Sequence, residues 1–172
     1  MTLSLEQRIT ALEDELAVRN VVASYGMAVD AGDNDTAVAC HTPEARYVVS
    51  SPTSGRDINT IDNDAQALPT NDLQMQGREA IAAMLDSPLH QSMLPNCAHT
   101  VGPVHVAVQG DSAVVKGYSR LYLREGDDFR LLRVAVNRWE LIKVGENWLI
   151  DCRESRLVGE PEAQVLLSSP MP

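Results

Sequence analysis

Residues 130–153 read RLLRVAVNRWELIKVGENWLIDCR, two apolar-rich runs separated by Val144-Gly145-Glu146-Asn147. The first run, Arg130 to Val144, is rich in Leu and Val and carries Trp139, the second begins at Trp148, and a Gly-containing tight turn between two such runs predicts a β-hairpin. The same grammar extends outward in both directions. Residues 98–108, 113–124, 130–144 and 148–158 are β-rich, and Gln109-Gly-Asp-Ser112, Glu125-Gly-Asp-Asp128 and Val144-Gly-Glu-Asn147 divide them. This predicts a four-stranded antiparallel meander. Strands of this length twist and coil, so a helical first half can cover the concave face.

That first half is helical in pattern. Leu5, Ile9, Leu12 and Leu16 recur at spacings of four and three, with Val18, Val21, Val22 and Tyr25 continuing the surface, which predicts a helix over about 4–29 capped by Ser4. Gly32 within Asp30-Ala-Gly-Asp-Asn-Asp35 ends it, a short helix follows over 36–40 with Asp33 as its cap, and 45–50 reads as a strand. Residues 51–76 are polar and aperiodic, an insertion of the kind that serves as a cavity flap or an arm on a neighbouring subunit or is partly disordered, before 77–85 resumes a helical pattern. Residues 159–172 read as a loose tail. The expected class is α+β, a cone-shaped half-barrel in one domain.

Composition narrows the functions. The chain has 172 residues, 44% hydrophobic but only 4% aromatic, so its core is aliphatic and an aromatic cage is not expected. A net charge of −10 disfavours nucleic acid and anionic membrane surfaces as partners. The N-terminal charges interrupt any signal-peptide core and no stretch is long enough to span a bilayer, which leads to a cytoplasmic expectation. Cys40, Cys97 and Cys152 are scattered and odd in number, as expected of reduced, inert thiols. No standard ligand spacing surrounds His99 and His105, so neither a metal nor a cofactor is expected.

Several motifs then fall in a telling order: Tyr25-x4-Asp30 with a following Gly32-Asp33, Gly77-Arg-Glu-Ala-Ile81, Ala98-His99, the Gly110-Asp111 turn and Trp148-x-Ile150-x-x-Arg153. From Leu5 to Leu157 this order resembles the SnoaL-like branch of the nuclear transport factor 2-like superfamily. That branch is a cone-shaped α+β barrel and includes polyketide cyclases, scytalone dehydratase, bile-acid 7α-dehydratase and lindane dehydrochlorinase. The resemblance implies that His99, at the start of the first meander strand, is a proton-abstracting base. It implies that Asp30 orients that base, that Tyr25 donates to a developing oxyanion or leaving hydroxyl, and that Arg153 anchors substrate or stabilises negative charge. A neutral imidazole titrates near working pH, and a carboxylate on its far nitrogen fixes the tautomer, so the pair suits carbon-acid chemistry.

The residues themselves raise objections. Positions five apart on a straight helix point about 140° from each other, so Tyr25 and Asp30 share a cavity only if the helix loosens near Gly26. Arg153 has the opposite strand parity to Trp148, Ile150 and Cys152, so either the pocket faces away from that set or a bulge intervenes. His105 shares the parity of His99 and is expected on the same face, in the pocket or in the core. Tyr118 and Asn137 are expected in the pocket wall, His90 is expected exposed, and His41 beside Cys40 does not make a catalytic thiol pair.

The leading reading is a lyase of the dehydratase kind acting on a hydrophobic, polycyclic or aromatic-like small molecule. An isomerase or polyketide-type cyclase on the same cavity is the first alternative, and a non-catalytic binding or assembly module the second. A symmetric homodimer or larger homo-oligomer is expected, because the outer face of a small half-open sheet needs cover.

Overall fold

A computed structural model of the chain describes residues 4–50 and 72–172. In chain order the elements are α1 (Leu5–Ala31), α2 (Asn34–Ala39), β1 (His41–Val49), β2 (Leu73–Gln76), α3 (Gly77–Leu85), α4 (Pro88–Gln91), β3 (Cys97–Gln109), β4 (Ser112–Glu125), β5 (Asp128–Val144), β6 (Asn147–Leu157) and α5 (Pro161–Ser168). The six strands form one curved, unclosed sheet in the order β2-β1-β6-β5-β4-β3, antiparallel throughout except where β1 runs parallel to β6. The N-terminal helices cover its inner face, the expected α+β half-barrel.

Each of the three meander turns holds two residues, the first a glycine with φ of 56°, 64° and 64° at Gly110, Gly126 and Gly145. Among the described residues no non-glycine has positive φ, so the left-handed strain of each hairpin falls on the one residue without a Cβ. At the other end, Ser4 and Gln7 form a reciprocal capping box on α1, and Gly32 closes the helix in the left-handed region at φ 70°.

Cross-strand pairing maps the inner face as rows. His99, Leu121 and Arg133 form one row; Val101, Ser119, Ala135 and Leu157 the next. Gly117, Asn137, Ser155 and Val49 follow, then Val115, Trp139, Arg153 and Tyr47. The core packs α1 residues Val18, Val22, Tyr25 and Val29 against these rows.

Two bulges set which side chains join them. Between Val101 and Val104, β3 has one more residue than β4 opposite, at Gly102-Pro103, so Val104, Val106 and Val108 continue the face of His99 while His105 turns to the exposed outer face. His105 is therefore neither in the pocket nor in the core. In β6 the extra residue lies at Asp151, because Ile150 opposes Leu141 and Cys152 opposes Glu140. That slip carries Arg153 onto the inner face with Ile150.

Other expectations change as well. β1 starts at His41, four residues before the expected strand, because α2 ends at Ala39. Most of the proposed insertion, 51–71, lies outside the described residues, but its end is β2, paired to β1. The stretch 159–172 is not wholly loose: Pro161 opens α5, whose Ala163 and Leu166 pack on Val136 on the outer face. Tyr118 shares that outer face with Val136 and is 43% exposed, so it is no pocket wall. The expected apolar stripe of α1 is only half buried, with Leu5, Ile9, Leu12 and Leu16 all exposed. No helix among the described residues is long and apolar enough to cross a membrane.

His41, at the start of β1, is fully buried; its ring contacts Tyr25 and Tyr47, and its Nδ1–H donates to the Ala37 carbonyl at 3.0 Å. Burial, reinforced by the charges of Arg153 and Arg78, pushes it down to about 4. The fold accommodates the neutral form, so this stabilisation is complete above the ordinary histidine value near 6.5 and is lost as pH falls toward 4, on the order of 3 kcal/mol in all. Urea unfolding at pH 7 and pH 4 should show the wild type losing about that much more stability than His41→Asn. Equal losses in the two proteins would mean that His41 is not held neutral.

Candidate active site

The end of α1 meets the start of β3 at unusually short range. A Cβ on Gly26 would lie 3.2 Å from the carbonyl oxygen of His99, so glycine lets helix and strand approach this closely. One turn later Asp30 faces the same strand. Its Oδ2 accepts the backbone N–H of His99 at 2.6 Å, and its Oδ1 lies 2.6 Å from His99 Nδ1. Cys97 Sγ donates to Oδ1 at 3.6 Å.

These contacts answer an electrostatic problem. The last turn of a helix carries partial negative charge, where an aspartate is unfavourable. Three donors from one strand offset that cost. Since a carboxylate can only accept, Nδ1 carries a proton, and in the neutral ring Nε2 is the nitrogen with the lone pair. Nε2 makes no hydrogen bond among the described residues, and the ring retains 29% exposure.

Asp30, Cys97 and His99 also bring three ligand-type atoms within 4.8 Å, a grouping that linear spacing concealed because its members come from different elements. The groups satisfy one another instead. Burial, then the neighbouring Asp30 charge, pushes the Cys97 thiol up to about 11, which keeps it protonated as a donor to Asp30.

Tyr25 belongs to a second cluster. Helix α1 stays regular through Ala31, so Tyr25 and Asp30 diverge, and no hydrogen bond among the described residues joins Tyr25 to the dyad. The Tyr25 hydroxyl meets that of Tyr47 at 2.8 Å, and burial followed by Tyr47 raises its pKa well above the ordinary tyrosine value. Arg153 donates to the Tyr47 hydroxyl and, from Nε and Nη2, to Asn137 Oδ1 at 3.3 and 3.1 Å. Its guanidinium lies 4.8 Å from the Tyr47 ring centroid, 5.3 Å from that of Tyr25 and 5.9 Å from that of Trp139. Asn137 is fully buried and passes a further hydrogen bond to Ser119 Oγ at 2.7 Å.

Of the residues predicted for the site, His99 and Asp30 are brought together, and Arg153 and Asn137 join Tyr25 along the same inner face. His105 and Tyr118 are outside it. Sequence reading missed Tyr47, Arg133 and His90. Tyr47 has the strand parity of Ala45 and Val49 and was legible as an inward residue once β1 was placed. His90, expected exposed, is buried on α4 with its ring 6.3 Å from that of His99. A groove of about 510 Å³ between α1, α2 and the β5–β6 turn, lined in part by Val21, Ser24, Cys40 and Trp148, is separate from all of these.

Replacing Asp30 by Ala should remove the acceptor of two His99 donors and destabilise the protein by about 1–3 kcal/mol, the usual range for orphaning a half-buried polar group. Amide exchange at His99 should accelerate with it. An unchanged exchange rate would mean that the carboxylate does not hold the strand.

A family model for the SnoaL-like domain matches residues 10–154. An NTF2-like protein with a cystatin-like fold from Novosphingobium aromaticivorans superposes with a TM-score of 0.80 at 27% identity, covering 98% of this chain and 100% of that one. A scytalone dehydratase candidate from the same organism gives 0.66 at 14% identity, with 88% of each chain covered. A protein of unknown function from Mycobacterium tuberculosis gives 0.68 at 16% identity, with 92% of this chain and 86% of that one covered. No curated protein matches this sequence. With the family model spanning most of the chain over this same half-barrel, the protein belongs to the SnoaL-like family of the nuclear transport factor 2-like superfamily.

Proposed function

We propose that the protein is a cofactor-independent lyase of the dehydratase kind, acting on a hydrophobic cyclic small molecule. The observation that carries this reading is the 2.6 Å contact between His99 Nδ1 and Asp30 Oδ1, which makes Nε2 the basic nitrogen of the neutral ring. In the proposed reaction Nε2 takes a proton from a carbon made acidic by an adjacent carbonyl. The electron pair of that C–H bond forms a C=C bond as the neighbouring C–O bond breaks, and the hydroxyl leaves as water with a proton returned by the imidazolium. Asp30 stabilises the imidazolium while it exists. Arg153 and Asn137 bind substrate further along the inner face, with Tyr25 and Tyr47 holding the arginine.

The likeness to a scytalone dehydratase candidate, at 14% identity, shows a shared fold on which the elimination is proposed. The same dyad returning its proton to a different carbon would be an isomerase, and one generating a nucleophilic enolate would be a cyclase. A non-catalytic receptacle is the contrasting reading. It has less support, because the dyad leaves His99 Nε2 without a hydrogen-bond partner among the described residues, which a passive wall does not need. Self-association belongs to the proposal too, favoured by the exposed Leu5, Ile9, Leu12 and Leu16 stripe.

The test is a panel of cyclic β-hydroxyketones in D₂O, followed by NMR for deuterium at the carbon next to the carbonyl and for loss of water. The wild type should catalyse both. Folded His99→Ala should be slower by roughly 10²–10⁴-fold, and Asp30→Asn should slow the reaction while substrate still binds. Full turnover by folded His99→Ala would sink the mechanism.

A further inference from the structure

The inner face carries positive charge that the proton transfer does not use. Arg133 stands in the first row with His99, two strands away through Leu121, which places their backbones about 10 Å apart. Its guanidinium donates to the Ser50 carbonyl and, from Nη2, to Ser155 Oγ at 3.4 Å. Arg153 reaches the same place from deeper in the cone, through Asn137. Asn137 and Ser155 oppose each other directly on β5 and β6, so the two guanidinium groups converge on one cross-strand pair.

No carboxylate among the described residues forms an ion pair with either arginine. Glu160 is close enough to be felt by Arg133, but its Oε2 accepts from Ser50 Oγ at 2.7 Å and from the Leu157 N–H at 3.1 Å. Burial, and then the charge of Arg153, pushes Arg133 down to about 10. Two like charges held together partly out of water are unfavourable until an anion joins them.

A second observation points the same way. Trp139 pairs directly with Arg153 on the inner face, is 1% exposed, and its Nε1–H has no acceptor among the described residues. An indole N–H can only donate. Two guanidinium groups and an unmet N–H thus share one wall.

We propose that Arg133 and Arg153 bind a carboxylate carried by the substrate, Arg133 setting the specificity for an acid over its neutral analogue. Planar guanidinium groups suit a planar carboxylate through paired N–H···O contacts. With the acid held at Asn137 and Ser155, the rest of the substrate extends along the inner face toward the His99 row. The assignment of the reacting end rests on the proposed proton transfer; recognition of the acid does not.

Calorimetry with 2-naphthoate and its neutral analogue 2-naphthamide as probes separates the two. The wild type should bind the acid about tenfold more tightly than the amide or better. Arg133→Gln should abolish that preference, Arg133→Lys should keep part of it, and His99→Ala should leave it intact, with thermal melts confirming that each variant is folded. If Arg133→Gln does not fold, a wild-type preference reduced in Arg133→Lys supports the site. Equal binding of both probes, no binding of the acid, or a preference unchanged in the Arg133 variants overturns it. Acid preference in a protein whose turnover ignores His99 would overturn the dyad mechanism and leave the acid site standing.

Discussion

The Asp30 carboxylate joins the two halves of the molecule. It sits at the negative end of a 27-residue helix, where the backbone repels it, and it is held there by the backbone and ring of His99 and the thiol of Cys97, all from one strand. Because both carboxylate oxygens are taken by His99, helix position and imidazole orientation become one property. Gly26 makes this possible by letting the helix backbone approach the His99 carbonyl one turn earlier. The long covering helix and the meander edge meet at the atoms proposed to do the chemistry.

Away from that contact, the interior is set by strand register. The bulge at Gly102-Pro103 turns His105 out, and the bulge at Asp151 turns Arg153 in. Each inserts one residue, and one residue is enough to exchange the two faces of a strand. Their combined effect is an inner face with His99 and Arg133 in the first row, Asn137 and Ser155 in the third and Arg153 in the fourth. Ser119 and Ala135 stand between the first and third rows, and a Cβ on Gly117, in the third, would come within 2.7 Å of Val104 Cγ1.

The fold was legible where local rules suffice. Three Gly-Asp or Gly-Glu turns between β-rich runs gave the meander, and Ser4 and Gly32 marked the ends of α1. The pairing of His99 with Asp30 was legible only through motif order, since nothing local joins residues 69 apart. What went unread has physical causes. A bulge leaves only a shift in the alternation of apolar residues, visible afterwards as the step from Val101 to Val104 around a Gly-Pro pair. Four-residue β2 is too short for a pattern, and α5 was hidden by its polar surroundings despite Pro161 at its start and Ala163 and Leu166 three apart. Arg133 was not singled out, because burial of an arginine depends on what other strands place around it.

The central claim is that Asp30 holds a proton on His99 Nδ1 and so makes Nε2 the basic nitrogen of the neutral ring. Long-range ¹H–¹⁵N correlation spectra of selectively labelled protein at neutral pH test it most directly. The account predicts that His99 is in the Nδ1–H tautomer, with a pyridine-type signal from Nε2, and that Asp30→Asn weakens this preference. An Nε2–H tautomer in the folded wild type would contradict it.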